Sequence, residues 1–232
     1  FHTHKMRTIG EHYCPGGGGI NVARVFVRLG GDARCYYPSG GATGVALDGL
    51  VDLHQLVRHN IPISGHTRIA MVVHEQETGK EYRFTPEGPA VSQAEWQDCL
   101  DCLAEVDCDY LVASGSLPRG VPKDFYARAA AILHARGIAF VLDTSGAALA
   151  EGLAGGRVHL VKPSSAELCE LAGRELASEE DFAEAAQAIV RAGQAEMVAV
   201  TLGSRGAILA HAGGTLSLPA LAIEVRSAVG AG

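Results

Sequence analysis

Long apolar runs are missing from this 232-residue chain, so nothing in it reads as a bilayer-spanning helix. The opening Phe1-His2-Thr3-His4-Lys5 is too polar for a signal peptide. An excess of positive charge is missing too: 19 Lys and Arg stand against 26 Asp and Glu, a formal net charge of -7. That balance excludes broad binding to nucleic acid or anionic membranes. It leaves room for a few local cations that hold an anionic small molecule. Neither G-x-x-x-x-G-K-[ST] nor G-x-G-x-x-G occurs, which sets aside two common nucleotide-binding loops. There is no internal repeat, low-complexity tract or flexible linker.

Zinc or redox chemistry finds little support in the six cysteines. Cys99 and Cys102 make one C-x-x-C, with Cys108 nearby, but no second pair or His pair follows. The surrounding Ala94–Val106 has the period of an amphipathic helix, so these read as structural or surface thiols in a reducing, cytoplasmic setting. A hydrophobic content of 47% supports a sizeable core, organised as one domain with room for a small appendage.

From Cys108 onward, apolar strands alternate with helices. The pattern predicts strands over Asp109–Ala113, Ile138–Leu142, Val158–Val161 and Met197–Thr201. It predicts helices over Phe125–Ala135, Ser164–Ala172, and from a capping box at Ser178 to about Ala192. Continuous apolar strands separated by helices imply a mostly parallel sheet covered on both faces. The first third differs. A helix over Asn21–Leu29 follows a glycine run, and Ala33–Tyr37 reads as a strand. Arg68–His74 and Lys80–Phe84 read as two strands around a hairpin turn at Glu77-Thr78-Gly79, with Lys5–Tyr13 as a possible third. A small β appendage beside the main sheet is therefore expected.

Two glycine-rich segments bear most on chemistry. The chain closes on Ser227-Ala228-Val229-Gly230-Ala231-Gly232, directly after the β-prone Leu221–Val225. Such a turn lets backbone N–H groups converge on an anion; the alternative is a flexible tail. Cys14-Pro15-Gly16-Gly17-Gly18-Gly19-Ile20-Asn21 lets a ligand lie against bare backbone, with Asn21 able to bond hydroxyls; the alternative is a glycine-rich turn. Gly40–Gly44, Ser114–Pro118, Val161–Glu167 and Thr201–Gly206 each follow a predicted strand. Each alone could be an ordinary loop, but several at one sheet edge argue for a cleft.

Together these segments resemble, in order and over essentially the whole chain, the phosphofructokinase B group of ribokinase-like sugar kinases. PGGGGINVAR is similar to that group's first signature, GGATG to its substrate-side loop, and SGSLPRG and VKPSSAEL to its central motifs. TLGSRGA is similar to the nucleotide loop and SAVGAG to the start of the second signature; four plain glycines are most similar to the minor 6-phosphofructokinase type. The resemblance implies a three-layer α/β ribokinase-like domain over residues 1–232, with a β lid around 5–13 and 68–84. It implies phosphorylation of fructose 6-phosphate at its 1-hydroxyl by ATP with Mg²⁺, and a homodimer formed through the lid. Gly17, Asn21 and Ser116 would contact the sugar, while Lys5, Arg68 and Arg83 would hold its phosphate. Lys162 and Ser164 would face the nucleotide, Thr201 and Gly203 would line its site, and Glu167 would meet the metal-bound water. Gly230, Ala231 and Gly232 would form the anion hole.

The chain departs from the group's pattern. Ser164 stands where the group usually has Asn, and Ala228 where it usually has Thr. The group's catalytic Asp follows the GAG turn, and its first strand, with a substrate-binding Asp, precedes the present start. Residues before Phe1 and after Gly232 are accordingly expected. Other readings are a fructose 1-phosphate or tagatose 6-phosphate kinase, or a non-catalytic sugar-phosphate or nucleotide binder if these ends are the real ones.

Overall fold

The computed structural model describes residues 7–222. Helix α1 (Gly18–Arg28) opens the fold, followed by β1 (Arg34–Ser39), α2 (Gly41–Leu53) and β2 (Val57–Pro62). A hairpin of β3 (Met71–His74) and β4 (Glu81–Phe84) comes next, then α3 (Gln93–Leu103). The remainder alternates: β5 (Tyr110–Ser114), α4 (Phe125–Ala135), β6 (Ala139–Asp143), α5 (Gly146–Ala154), β7 (Val158–Val161), α6 (Ser165–Ala172) and α7 (Glu179–Arg191). Strands β8 (Ala195–Thr201), β9 (Ala207–His211) and β10 (Gly214–Leu218) end the series.

Six strands form the central sheet in the order β10-β9-β8-β7-β6-β5. Strands β5 to β8 run parallel, while β9 and β10 are antiparallel additions at one side. The parallel strands are apolar enough to be buried between helices: Phe140, Leu142, Val158, Val161, Val198 and Val200 lie inside. Leu133, Leu149, Leu153, Leu168 and Phe182 pack on them from α4 to α7. Local signals fix the helix starts. Ser164 and Ser178 each cap the next helix through a reciprocal box with Glu167 and Asp181.

The first third holds a separate, smaller core. Ile20, Ala23, Cys35, Tyr37, Val51 and Leu56 pack between α1, α2 and the parallel pair β1-β2. Among the described residues the β3-β4 hairpin pairs only with itself, in the register Met71↔Phe84 to His74↔Glu81. No helix among the described residues is long and apolar enough to cross a membrane.

Several expectations need correction. Residues 7–13 form no strand. Gly10 turns the chain at φ 68°, and Glu11 takes the hydroxyls of Thr8 and Tyr13 at 3.5 and 3.2 Å, so that segment bonds locally instead of joining the hairpin. Strand β3 starts at Met71, not Arg68. Helix α1 begins at Gly18, three residues before Asn21, because packing against β5 overrides the poor helix propensity of glycine. The Gly41–Gly44 cluster is likewise the first turn of α2, not a loop before it. Leu221 and Ala222 carry no strand, and the rest of Leu221–Val225 lies outside the described residues, as do Lys5, Gly230, Ala231 and Gly232. The Cys99 thiol is pushed up to about 11, chiefly by burial, and no group of three or more His, Cys, Asp or Glu among the described residues could hold a metal.

Candidate active site

The parallel strands all end at one edge, which places Ser114, Asp143 and Thr201 as the last residues of β5, β6 and β8. Lys162 follows β7 directly. Its N–H bonds Leu142 O at 3.0 Å, and Thr201 N bonds Pro163 O at 3.1 Å, so the two loops are stitched to neighbouring strands. Side chains then cross the edge. Lys162 Nζ lies 3.1 Å from Asp143 Oδ1, and Ser114 Oγ donates to Asp143 Oδ2 at 2.8 Å.

The loop after β5 is held firmly. Gly115 has φ 121°, a value suited to glycine. Its N–H donates to Asp143 O at 2.9 Å, while its carbonyl accepts Tyr126 Oη at 2.7 Å and Thr144 Oγ1 at 2.9 Å. Burial, the largest cause, pushes the Tyr126 phenol up to about 12 and keeps it a donor. Ser116, one residue on, is exposed.

The glycine run approaches the same loop. A Cβ on Gly18 would sit 2.0 Å from Ser114 Oγ, so only glycine fits there. Gly17 is the N-cap of α1 and offers no capping side chain, so the first-turn N–H groups lack a side-chain partner from the cap. Asn21 sits one turn on, its Oδ1 accepting from Arg24 Nη1 at 3.4 Å. The N-terminus of α2 is anchored through Gly40, which exchanges bonds with Thr67: its N–H reaches Thr67 Oγ1, and its carbonyl accepts Thr67 N, both at 3.0 Å. Behind it, Tyr37 Oη donates to Asp48 at 2.8 Å, and Arg58 grips Asp52 at 2.6 and 3.0 Å.

Gly17, Gly18, Thr43, Arg68, Ser114 and Ser116 line one broad cleft of about 3140 Å³, walled partly by the hairpin. That exceeds the few hundred to about 1,000 Å³ of a fitted small-molecule pocket, so the cleft is open. Arg68 is exposed there and donates to Pro86 O at 3.4 Å. Arg83, on β4, pairs with Glu81 at 3.1 Å and is not among the cleft-lining residues. Lys162, Ser164, Glu167, Thr201 and Gly203 form a second group at the ends of β7 and β8, beyond that cleft. Ser164 and Thr201 face each other across a parallel bridge, and Gly203, at φ 61°, starts a single helical turn.

Glu167 is oriented rather than free, its Oε2 accepting Ser164 N at 2.7 Å. One fixed carboxylate at a helix N-terminus does not make a metal cage. It does suit an ion held mainly by phosphates and water, as Mg²⁺ commonly is. Asp143, the partner of Ser114 and Lys162, was missed from sequence. Its signal was a lone acid closing the apolar run Phe140-Val141-Leu142.

A mostly parallel α/β sheet with a glycine-lined cleft on one half of its edge and a lysine-bearing group on the other suits an enzyme that brings two ligands together, as a kinase does. The chain belongs to the pfkB family of carbohydrate kinases, whose match runs over residues 3–232. It is 42% identical over 232 residues to ATP-dependent 6-phosphofructokinase isozyme 2 of Mycobacterium tuberculosis strain H37Rv, covering 99% of this chain and 68% of that protein. The isozyme 2 of Escherichia coli K12 is 38% identical, over 98% of this chain and 74% of its own length. Among solved structures, the tetrameric inhibited form of Escherichia coli phosphofructokinase-2 superposes with a TM-score of 0.93 at 36% identity, covering 100% of this chain and 77% of that one. The same enzyme in complex with fructose-6-phosphate gives 0.92 at 35% identity, covering 98% and 75%. The ribokinase-like α/β fold expected from the motifs is thus the fold of the chain.

Proposed function

We propose that this protein phosphorylates fructose 6-phosphate to fructose 1,6-bisphosphate with ATP as donor. The observation that carries the reading is the Ser114–Asp143–Lys162 line, which joins the glycine-lined cleft to the Lys162 group on one sheet edge. The names of the relatives point to the same reaction. In it, the sugar's 1-hydroxyl oxygen bonds the γ-phosphorus, the bond to the bridging oxygen breaks, ADP leaves, and the hydroxyl proton passes to a base.

In this reading Gly17, Asn21 and Ser116 bind the sugar, and Lys5, Arg68 and Arg83 take its phosphate as charge-assisted donors. Lys162, Ser164, Thr201 and Gly203 hold the nucleotide. Glu167 orients water around the Mg²⁺ that neutralises the phosphates. Gly230, Ala231 and Gly232 steady the transferring group. The hairpin's exposed Met71, Tyr82 and Phe84, which share one face in the register Met71↔Phe84 and Val73↔Tyr82, favour a homodimer formed through the lid. A coupled assay of ADP release, run with fructose 6-phosphate, fructose 1-phosphate, tagatose 6-phosphate and fructose, tests the substrate. The highest kcat/KM is expected for fructose 6-phosphate. A preference for unphosphorylated fructose would remove the role given to the cations.

A further inference from the structure

We infer that Asp143 is a positioning residue that couples sugar binding to nucleotide binding; this rests on the two-ligand reading just given. Its carboxylate has one oxygen in each half of the site. Oδ2 accepts Ser114 Oγ at 2.8 Å, and Oδ1 lies 3.1 Å from Lys162 Nζ. Ser114 in turn packs against Gly18 so closely that a methyl group there would overlap its hydroxyl at 2.0 Å. The N-terminus of α1, Ser114, Asp143 and Lys162 are therefore one continuous contact line from the glycine run to the nucleotide side.

The backbone beneath this line is fixed. Gly115 N donates to Asp143 O at 2.9 Å, and Lys162 N donates to Leu142 O at 3.0 Å. The side chains above it are partly open to solvent. Asp143 and Lys162 are 33% and 30% exposed, so solvent screens their attraction, and the pair alone adds little to stability. Its consequence is geometric. A sugar seated on the first turn of α1 presses that turn onto Ser114, which holds Asp143 in one rotamer and so fixes the Lys162 ammonium. A nucleotide then meets a lysine already ordered. Ordering shared between two ligands is positive cooperativity, equal in both directions.

Calorimetry on the full-length enzyme tests the inference, with fructose 6-phosphate and the non-hydrolysable ATP analogue AMP-PNP titrated singly and each in the presence of the other. In the wild type each ligand tightens the other by at least about fivefold, and by the same factor in both orders. D143A lowers that factor to below about twofold. D143N restores most of it, because an amide still accepts from Lys162 and donates to Ser114. S114A, which leaves the Asp143–Lys162 pair intact, lowers it as D143A does. The double variant S114A/D143A is no worse than D143A. A factor unchanged in D143A or S114A, or a wild type that binds both ligands with no coupling, overturns the inference and leaves the proposed reaction standing. A wild type that binds neither ligand removes the functional reading and the inference with it. S114A keeps the test decisive if D143A does not fold.

Discussion

Replacing Gly18 by alanine tests whether α1 is seated on the end of β5. The distance from the new methyl to Ser114 Oγ must grow from 2.0 Å to about 3.4 Å, a displacement of about 1.4 Å. A second overlap, 2.8 Å to Ser114 Cβ, prevents escape by a simple rotation of the hydroxyl. Overpacking of this kind costs about 1–3 kcal/mol. Helix propensity acts the other way, favouring alanine by about 0.8–1 kcal/mol. The expected net loss is about 0–2 kcal/mol, a fall in Tm of up to about 8 °C for a chain of this size. Gly19 is the control, because a Cβ there meets nothing within 4 Å. G19A should gain the propensity term alone and raise Tm by about 2–4 °C. In G18A, kcat/KM for fructose 6-phosphate should also fall by about 10²-fold, since a shift near 1 Å misaligns reacting groups. Adding S114G removes both overlapping atoms and should recover the Tm of G18A. A G18A protein that melts as high as G19A would refute the seating of α1 on Ser114.

Three further outcomes are expected. Arg68→Ala should raise KM for fructose 6-phosphate strongly and leave that for ATP nearly unchanged in steady-state kinetics, because Arg68 lines the cleft and not the β7-β8 group. Hydrogen bonds from the Ser64 and Ser92 backbone N–H groups hold the Glu95 carboxyl at about 2, below its ordinary 4.5. A depressed carboxylate stabilises the fold above its unfolded value and loses that effect as pH falls through its folded value, so E95Q should flatten the drop in Tm between about pH 4.5 and 2. Phe84→Asp on the hairpin should shift sedimentation at micromolar concentration toward the monomer, because Phe84 shares its face with Met71 and Tyr82; a wild type that is already monomeric would refute assembly through the lid.

The sequence was readable where its signals are local. Helix α4 and strand β7 fall on the expected residues, and the capping serine Ser178 stands where its spacing placed it, since periodicity and caps need no partner. Strand β2 escaped notice because Arg58, His59 and Asn60 fill it and only Ile61 is fully buried; its strand character comes from pairing with β1. Helix α5 was hidden by the small residues Gly146-Ala147-Ala148. Strands β9 and β10 were in principle legible, being joined by a tight turn at Ala212-Gly213. In the site, the glycine run and the Lys162 loop stood out, but their link through Asp143 did not. A single carboxylate acquires that meaning only when β5, β6 and β7 are brought side by side.

The two separate cores imply that this enzyme does not come apart as one body. Melting the cluster of Ile20, Ala23, Cys35, Tyr37, Val51 and Leu56 releases α1, α2 and the β1-β2 pair without touching Leu133, Phe140 or Val198. The smaller cluster has less apolar surface to lose and is expected to open first. Amide exchange should therefore separate into two cooperative classes. On the proposed assignment, sugar phosphate would protect the faster class and a nucleotide would act on the slower one. Heat and proteases would then silence sugar recognition while nucleotide binding persists, so catalytic decay would outrun any global measure of unfolding.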